Sequence, residues 1–160
     1  MKNTKKIVIL GTGYGGVHAA KKLYKKYKSN SDIEITLIGK DPYHTLMTEL
    51  HEVAGGRVEI ESVQINLNKI FGGKNVNLVQ DKITFFPPNI LLRLKNVNLV
   101  QDKITGIDFK NNKLFSEDYS YDYDYLVLGT GSEPAFFGVP GVKENGFTLW
   151  SLEDAIKVRE

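Results

Sequence analysis

The chain has 160 residues, of which 41% are hydrophobic and 25% are charged, and its formal net charge is +2. These values suit one water-soluble domain with a substantial core, and they give no overall field that would attract nucleic acid. The sequence contains no cysteine, which excludes disulfides, thiolate metal sites and redox dithiols. Its three histidines show no metal-ligand spacing, so we expect no metal site.

The N-terminus and the apolar runs bear on the expected location. Strand and glycine patterns begin almost directly after Met1 and Lys2, which leaves no room for a signal peptide. No apolar run approaches the ~20 residues that a membrane-spanning helix needs. We therefore expect a cytoplasmic protein.

The most informative segment is an apolar run followed by a glycine-rich turn. Residues 7–10 predict a buried parallel strand, and Gly11, Gly13 and Gly16 then match G-x-G-x-x-G at the start of a helical pattern. Gly11 allows a tight turn, Gly13 lets the backbone approach a pyrophosphate, and Gly16 lets the helix pack on the strand. The helix N-terminus offers N–H groups and a partial positive charge to phosphates. This context predicts a dinucleotide site, and the alternative is a glycine-rich turn that binds nothing.

A helix and a second strand are predicted directly after this turn. Apolar residues at helical spacing would face a sheet: Val17, Ala20, Leu23, Tyr24 and Tyr27. The other face carries Lys21, Lys22, Lys25, Lys26 and Lys28. We interpret these lysines as a solvated face rather than a lipid or RNA site, because cations are favoured near a helix C-terminus. Residues 33–38 predict the second strand, which completes a strand–helix–strand unit.

The next part of the chain predicts short elements. We expect a turn over 41–44, a short helix over 46–53, extended or mixed structure over 58–67 and another short helix over 66–71.

The segment KNVNLVQDKIT occurs twice without change, as two identical 11-residue copies at 74–84 and 95–105. We define the insert between them as residues 84–94, a range that includes Thr84, the last residue of the first copy. A single identical pair indicates a recent duplication or a sequence-assembly fault rather than a repeat array. Since only one copy can occupy a given strand position, we expect the other copy and its apolar spacer to form an edge strand or a loop.

Strand patterns return in the last third of the chain. Residues 107–115 predict an antiparallel meander, and residues 125–128 predict a second buried strand that enters a glycine-bearing turn at 129–132. Three carboxylates precede that strand: Asp118, Asp122 and Asp124. They lack the regular loop that calcium sites use, so we interpret the segment as a solvated hairpin.

The C-terminal residues predict a helix that the chain leaves short. Ser151 and Asp154 have the spacing of a capping box, and an amphipathic pattern begins after them. The chain stops at Glu160, about two turns into this helix, and a helix of that length is marginal unless something packs on it. We therefore expect the chain to be a fragment.

Three separated motifs together resemble the flavoproteins that have two dinucleotide-binding domains: the glycine turn at 11–16, the strand and turn at 126–132, and the Pro-Gly pair at 140–141. Residues 43–44, 50–56 and 122–127 are similar to the type II NADH dehydrogenases in particular, which are NADH:quinone oxidoreductases of the pyridine nucleotide-disulfide oxidoreductase family. The resemblance covers nearly the whole chain apart from the duplicated block. It implies an α/β fold over residues 1–160: a Rossmann-like FAD-binding domain, incomplete at its C-terminus, with a parallel sheet, helices on both faces and a small antiparallel meander.

The resemblance also implies which residues hold FAD. The pyrophosphate would lie on Gly11, Thr12, Gly13, Tyr14, Gly15 and Gly16. The adenosine ribose would lie near Gly39, Lys40 and Asp41, where Gly39 replaces the acid that the wider family usually has. Lys40 would bond a ribose hydroxyl, but it would also suit a 2′-phosphate, so NADP stays open. The Ile104 backbone amide would meet the adenine, and Thr130, Gly131 and Ser132 would return the chain to the diphosphate.

The implied activity is FAD-dependent transfer of hydride from NAD(P)H to flavin and then of electrons to a quinone. No side chain of this chain is expected to be catalytic, because the flavin supplies the chemistry. The second glycine fingerprint for NADH, a later Gly-Asp segment and C-terminal amphipathic helices are absent from these 160 residues. When full length, the protein would contact the inner face of the cell membrane only through that missing region, and a homodimer is allowed.

Two alternatives stay open. The chain is an inactive truncated nucleotide-binding module, or it is a single-domain NAD(P)-dependent reductase. Tyr24 and Lys28 have the Tyr-x-x-x-Lys spacing of short-chain dehydrogenases, but they lie on the first helix and Lys28 belongs to its lysine face.

Overall fold

The computed structural model describes residues 4–71, 90–93 and 97–160. The chain divides into two compact units, the first made of Met1–His44 and Asn66–Thr130 and the second of Thr45–Ile65 and Gly131–Glu160. The first copy of the duplicated segment and residues 84–89 of the insert lie outside the described residues. The assignment of the whole chain to one FAD-binding domain stays a prediction.

Strands dominate the first unit and short helices the second. The strands are β1 (Lys5–Leu10), β2 (Ile33–Gly39), β3 (Tyr43–Thr45), β4 (Gln64–Asn66), β5 (Ile90–Arg93), β6 (Val97–Gln101), β7 (Gly106–Asp108), β8 (Lys113–Phe115), β9 (Ser120–Asp122) and β10 (Tyr125–Leu128). The α-helices are α1 (Tyr14–Tyr27), α2 (Leu50–Ala54), α3 (Leu67–Phe71), α4 (Val142–Asn145) and α5 (Leu152–Arg159), with 3-10 turns at Met47–Glu49 and Ile60–Val63. The predicted first strand, helix and second strand are confirmed, as are the short helices near 46–53 and 66–71.

A mixed sheet in the order β10-β1-β2-β6-β5 forms the centre of the first unit. β10, β1, β2 and β6 run parallel, and β5 pairs antiparallel with β6 at the edge. The chain leaves β1 through α1 toward β2 on one side, whereas β10 lies on the other side. The strand order therefore reverses at β1, and this α/β architecture with parallel strands is the predicted fold class.

The two faces of this sheet are covered differently. One face packs against α1 and α3 in a core cluster of Ile7, Ile9, Val17, Ala20, Ile35, Leu37, Leu67, Phe71 and Leu99. The opposite face packs against the β7–β8–β9 meander in a cluster of Val8, Ile38, Val100, Leu114 and Tyr123. We expected helices on both faces of the sheet. In the described part of the chain, helices cover one face and the meander covers the other.

Two local predictions are corrected. Residues 125–128 form β10, but Tyr125 is 61% exposed and Leu128 is 53% exposed. The apolar run predicted burial, whereas β10 lies at the edge of the sheet that the described residues form. The turn predicted over 41–44 is wrong in its second half, because Tyr43 and His44 begin β3, which pairs with β4.

The second unit has its own small core, in which α2 and α5 pack together. Leu50, Val53, Val63 and Ala155 are its buried residues. The predicted capping box is confirmed, since the Asp154 N–H donates to Ser151 Oγ and the Ser151 N–H donates to Asp154 Oδ2 (both 3.1 Å). The same carboxylate accepts from Thr148 Oγ1 (2.6 Å) and from the Trp150 N–H (3.0 Å). Asp154 therefore ties the start of α5 to the segment before it.

Replacing Asp154 by alanine is expected to lower the free energy of unfolding by about 1 kcal/mol, because the carboxylate that accepts from Thr148, Trp150 and Ser151 is lost. Chiefly through the Thr148 hydrogen bond, the pKa of Asp154 lies below its ordinary value of 3.8. Its contribution is therefore complete above that value and is lost as the pH falls through the lower pKa of the folded state. Urea unfolding at neutral and acid pH measures both effects.

Matched variants control that experiment. Asp154→Asn keeps an acceptor oxygen but cannot titrate, so we expect most of the stability and no acid dependence from this position. Glu153→Ala changes the exposed neighbouring acid. An equal loss from Glu153→Ala and Asp154→Ala would contradict the capping role.

Candidate nucleotide-binding site

The glycine turn lies at the carboxyl end of β1, where the strand order reverses. The Gly11 N–H donates to the Ile38 carbonyl at the end of β2, and the Gly129 N–H donates to the Leu10 carbonyl at the end of β1 (both 2.8 Å). Two glycine-bearing turns, from β1 and from β10, thus meet beside the start of α1. In open α/β sheets, ligands bind outside the carboxyl ends of the strands at this point.

Gly11 and Gly16 are required by close backbone packing. Gly11 has φ +109°, and a Cβ there would overlap the carbonyl oxygen of Gly129. A Cβ at Gly16 would overlap the carbonyl oxygen of Gly11. These two glycines therefore allow the turn after β10 and the first turn of α1 to pack against the turn after β1.

Gly13 is a glycine for a different reason. It is the N-cap of α1 with extended backbone (φ −72°, ψ −174°), and a Cβ there would meet no heavy atom of the described residues within 4 Å. Among residues 4–71, 90–93 and 97–160, no side chain caps this end of α1, and its first turn carries no acid. Tyr14 and Gly15 are exposed beside it. The space beside Gly13 at the start of α1 is therefore not filled by any residue that the structure describes.

The glycine at the end of β2 has its own structural reason. A Cβ at Gly39 would overlap Thr12 Cγ2 and lie 2.7 Å from Thr12 Oγ1. Thr12 therefore occupies the space where a side chain at position 39 would begin. This packing accounts for the absence of the acid that the sequence resemblance leads one to expect there.

Replacing Gly39 by alanine is expected to lower the free energy of unfolding by about 2 kcal/mol, which is typical of an overpacked buried position. The double variant Thr12→Gly with Gly39→Ala removes the clashing side chain. We therefore expect Gly39→Ala to cost much less free energy of unfolding in the Thr12→Gly background than in the parent chain. A double-mutant cycle by urea unfolding measures this coupling. Purely additive effects would contradict the contact.

His44 contacts the glycine turn through Thr12 and Tyr14. Its side chain is 5% exposed, and Nδ1 lies 2.9 Å from the Thr12 carbonyl oxygen. The Tyr14 ring meets the His44 ring edge-on, with centroids 4.6 Å apart. These contacts place His44 among the residues that support the turn.

The edge predicted to meet the ribose is built from β2 and β6. Lys40 is exposed, and its ammonium lies 3.9 Å from the Asp41 carboxylate. Gln101 Nε2 donates to the Lys40 carbonyl (3.1 Å), and the Asp102 N–H donates to the Gly39 carbonyl (2.9 Å). Ile104 follows shortly after, with its side chain packed against the second core cluster. Only the backbone of Ile104 is thereby left for a nucleotide.

Thr130, Gly131 and Ser132 were predicted to return the chain to the diphosphate. The structure brings Thr130 to the glycine turn, since the Thr130 backbone nitrogen would lie 3.1 Å from a Cβ at Gly11. Gly131 and Ser132 belong to the second unit, where the Ser132 carbonyl accepts from Trp150 Nε1 (2.7 Å). Their return to the diphosphate stays a prediction. The sequence placed Gly129 in a turn but did not assign it to the site, although Leu-Gly-Thr-Gly occurs at both 10–13 and 128–131.

Two of the three carboxylates considered as metal ligands pair with lysines. Asp122 pairs with Lys113 (3.3 Å), and Asp124 pairs with Lys5 (2.8 Å). The hydrogen bond between Lys5 and Asp124 lowers the pKa of that carboxyl and raises the pKa of the ammonium. Within the described residues, no group of His, Cys, Asp or Glu side chains is arranged to hold a metal ion.

The pyridine nucleotide-disulphide oxidoreductase family matches residues 5–160. The chain belongs to this family. Type II NADH:quinone oxidoreductase of Staphylococcus aureus (strain NCTC 8325 / PS 47) is 32% identical over 159 residues, which are 99% of this chain and 33% of that protein. The Staphylococcus haemolyticus protein of the same name is 29% identical and matches 98% of this chain and 34% of its own length. The family expected from the sequence motifs is thus confirmed, and the chain spans about a third of the length of these curated relatives.

Solved structures show the same fold. The sulfide:quinone oxidoreductase of Aquifex aeolicus superposes with a TM-score of 0.72 at 24% identity, over 98% of this chain and 31% of that one. NDH2 of Plasmodium falciparum superposes with a TM-score of 0.67 at 20% identity, over 98% of this chain and 28% of that one. In the part of the chain that the structure describes, no helix combines the length and the apolarity that crossing a membrane requires.

Proposed function

We propose that the chain is the FAD-binding part of an NADH:quinone oxidoreductase of the type II kind. One observation carries the proposal: two glycine turns meet at the N-terminus of α1, and no described atom lies within 4 Å of a Cβ at Gly13. The names of the curated relatives support NADH and quinone as the substrates of the whole protein. The role of this chain in that protein is to bind and orient the flavin nucleotide.

The charge and geometry around Gly13 fit a diphosphate. The first N–H groups of a helix have no partner within it, and the aligned peptide dipoles place a partial positive charge there. α1 has 14 residues and no acid in its first turn, so the first turn itself places no carboxylate against an anion.

The ribose and adenine would extend from this point along the ends of β2 and β6. Lys40 supplies an exposed ammonium there, and Asp41 supplies a carboxylate. Hydrogen bonds to the carbonyls of Gly39 and Lys40 fix the backbone of this edge. Because Gly39 carries no side chain, Lys40 is the residue that we assign to the ribose hydroxyls.

The chemistry that a bound FAD would supply is acceptance of a hydride from NAD(P)H and transfer of electrons to a quinone. The residues of this chain hold the diphosphate by backbone N–H groups, and no side chain of the site is assigned as acid or base. For the whole protein we propose a cytoplasmic location with peripheral contact to the inner face of the cell membrane through residues outside this chain. We propose that the whole protein is a homodimer.

Parallel binding experiments distinguish this proposal from its alternatives. Purified chain is incubated with FAD, NADH or NADPH, passed through a desalting column and assayed for retained nucleotide. We expect close to one FAD molecule to be retained per chain, and we expect neither NADH nor NADPH to displace it. Retention of NADH or NADPH but not FAD would indicate a single-domain reductase, and retention of none would indicate an inactive module.

Turnover gives a separate result. Since the chain spans about a third of its relatives, we expect no oxidation of NADH by this chain with a soluble quinone, even after FAD is bound. Consumption of NADH, followed by its absorbance, would contradict that expectation.

A further inference from the structure

His44 is a buried polar residue whose side chain meets the backbone of the glycine turn. Its side chain is 5% exposed, and its Nδ1 lies 2.9 Å from the Thr12 carbonyl oxygen. A carbonyl oxygen only accepts hydrogen bonds, so Nδ1 must carry the proton in this contact. The bond therefore selects one tautomer of the neutral imidazole ring, in which Nδ1–H is the donor and Nε2 carries no proton.

This hydrogen bond fixes the orientation of the peptide unit between Thr12 and Gly13. The peptide bond is trans, and the C=O and N–H groups of a trans peptide unit point in opposite directions. Because the Thr12 carbonyl accepts from His44, the Gly13 N–H points away from the imidazole ring. Among the described residues, that N–H meets no hydrogen-bond acceptor, whereas the Gly13 carbonyl accepts from the Val17 N–H of α1 (3.0 Å).

We propose that His44 is a positioning residue for the diphosphate of FAD, because its bond to the Thr12 carbonyl presents the Gly13 N–H as a donor. This role rests on the proposed function of the glycine turn. If the peptide unit were turned over, the Thr12 carbonyl oxygen would lie where the N–H points now. That oxygen carries a partial negative charge and would repel a diphosphate. The orientation of this one peptide unit thus decides whether the turn attracts an anion or opposes it.

The position of His44 is fixed by contacts within the first unit. The Leu67 N–H donates to the carbonyl of Pro42, just before the histidine (3.0 Å). Leu67 begins α3 and is 3% exposed in the core cluster that α1 and α3 form with the sheet. The imidazole ring also meets the ring of Tyr14, the first residue of α1, with centroids 4.6 Å apart. The donor therefore belongs to a segment that is tied to the core.

Two variants separate the donor of His44 from its ring. His44→Asn keeps an N–H donor, since asparagine Nδ2 and histidine Nδ1 are the same number of bonds from Cα, but it removes the ring that meets Tyr14. His44→Phe keeps a ring and removes the donor. We expect His44→Phe to weaken FAD binding by about tenfold or more, as for one lost hydrogen bond to a charged group, and His44→Asn to bind within about threefold of the parent chain. Fluorescence titration with FAD measures both affinities.

A stability control shows whether FAD affinity merely follows the stability of the fold. Leu114 is fully buried in the second core cluster, and Leu114→Val makes this side chain smaller without touching the glycine turn. We expect Leu114→Val to unfold at a lower urea concentration than the parent chain and to bind FAD as the parent does. A loss of FAD affinity in Leu114→Val equal to that in His44→Phe would overturn the positioning role.

Nuclear magnetic resonance tests the role without relying on an affinity. In the folded parent chain, we expect the ¹⁵N signals of the His44 ring to show a protonated Nδ1 and an unprotonated Nε2. We expect inorganic diphosphate to shift the amide signal of Gly13 in the parent chain and in His44→Asn, but not in His44→Phe. A His44 ring that carries its proton on Nε2 alone would overturn the role, because its Nδ1 could not donate to the Thr12 carbonyl.

The FAD titrations distinguish the role of His44 from the proposed function. Weak binding by His44→Phe together with recovery in His44→Asn supports both. If the parent chain binds FAD and His44→Phe binds it equally tightly, the role of His44 is overturned while the FAD site stands. If the parent chain itself binds no FAD, the proposed function and the role of His44 are both overturned.

Discussion

Replacing Gly16 by alanine is expected to lower the free energy of unfolding by about 3 kcal/mol, at the upper end of overpacking effects. Alanine usually stabilises a helix relative to glycine by up to ~1 kcal/mol, so helix propensity alone predicts the opposite sign. The loss arises because the new Cβ would overlap the Gly11 carbonyl oxygen, a backbone atom that cannot move without shifting the turn. Urea unfolding measures the change.

Gly15→Ala is the matched control in the same helical turn. A Cβ at Gly15 meets no heavy atom of the described residues within 4 Å, so that variant is expected to be as stable as the parent chain or slightly more stable. Equal stability of the Gly15 and Gly16 variants would contradict the packing of α1 against the turn.

Replacing Gly13 by alanine is expected to weaken FAD binding at least tenfold, about 1.4 kcal/mol, and to lower the free energy of unfolding by only ~0.5–1 kcal/mol, because alanine is a poorer N-cap than glycine. Alanine adopts the extended backbone of Gly13 without strain, and no described residue has a heavy atom within 4 Å of its Cβ. The methyl group instead occupies the space in front of the α1 N–H groups, where we place the diphosphate. Fluorescence titration with FAD measures the affinity.

Gly106→Ala is the control for this experiment. It also introduces a Cβ with no heavy atom within 4 Å, but on β7 of the meander. We expect this variant to bind FAD as the parent chain does. Unchanged FAD affinity in Gly13→Ala would remove the phosphate role from the glycine turn, even if the fold is as described.

Local patterns were enough to predict the first strand, α1 and the second strand. The apolar run at 7–10 and the helical spacing of Val17 and Ala20 report burial directly, because each element presents one regular face to the sheet. The same reasoning failed for Tyr125 and Leu128. An apolar run shows that a strand is suited to burial, but it does not show which strands lie beside it.

The glycine turn and the capping box were both predicted from residue spacing, but the packing around the glycine turn was not. G-x-G-x-x-G located the turn, and the capping pattern located Ser151 and Asp154, since both depend on neighbouring residues in the sequence. The contact between Gly129 and Gly11 and the fit of Thr12 over Gly39 join residues far apart in the chain. Those contacts depend on the tertiary arrangement of the strands, which no short motif contains.

The most direct test follows individual backbone N–H groups during FAD binding. In the ¹H–¹⁵N spectrum of the folded chain, we expect stoichiometric FAD to shift the amide signals of Gly13, Tyr14 and Gly15 most strongly. Inorganic phosphate at high concentration should move the same signals in the same direction, because the diphosphate is the group that α1 holds. A chain that is folded but whose Gly13 to Gly15 signals stay unmoved at saturating FAD would contradict the account.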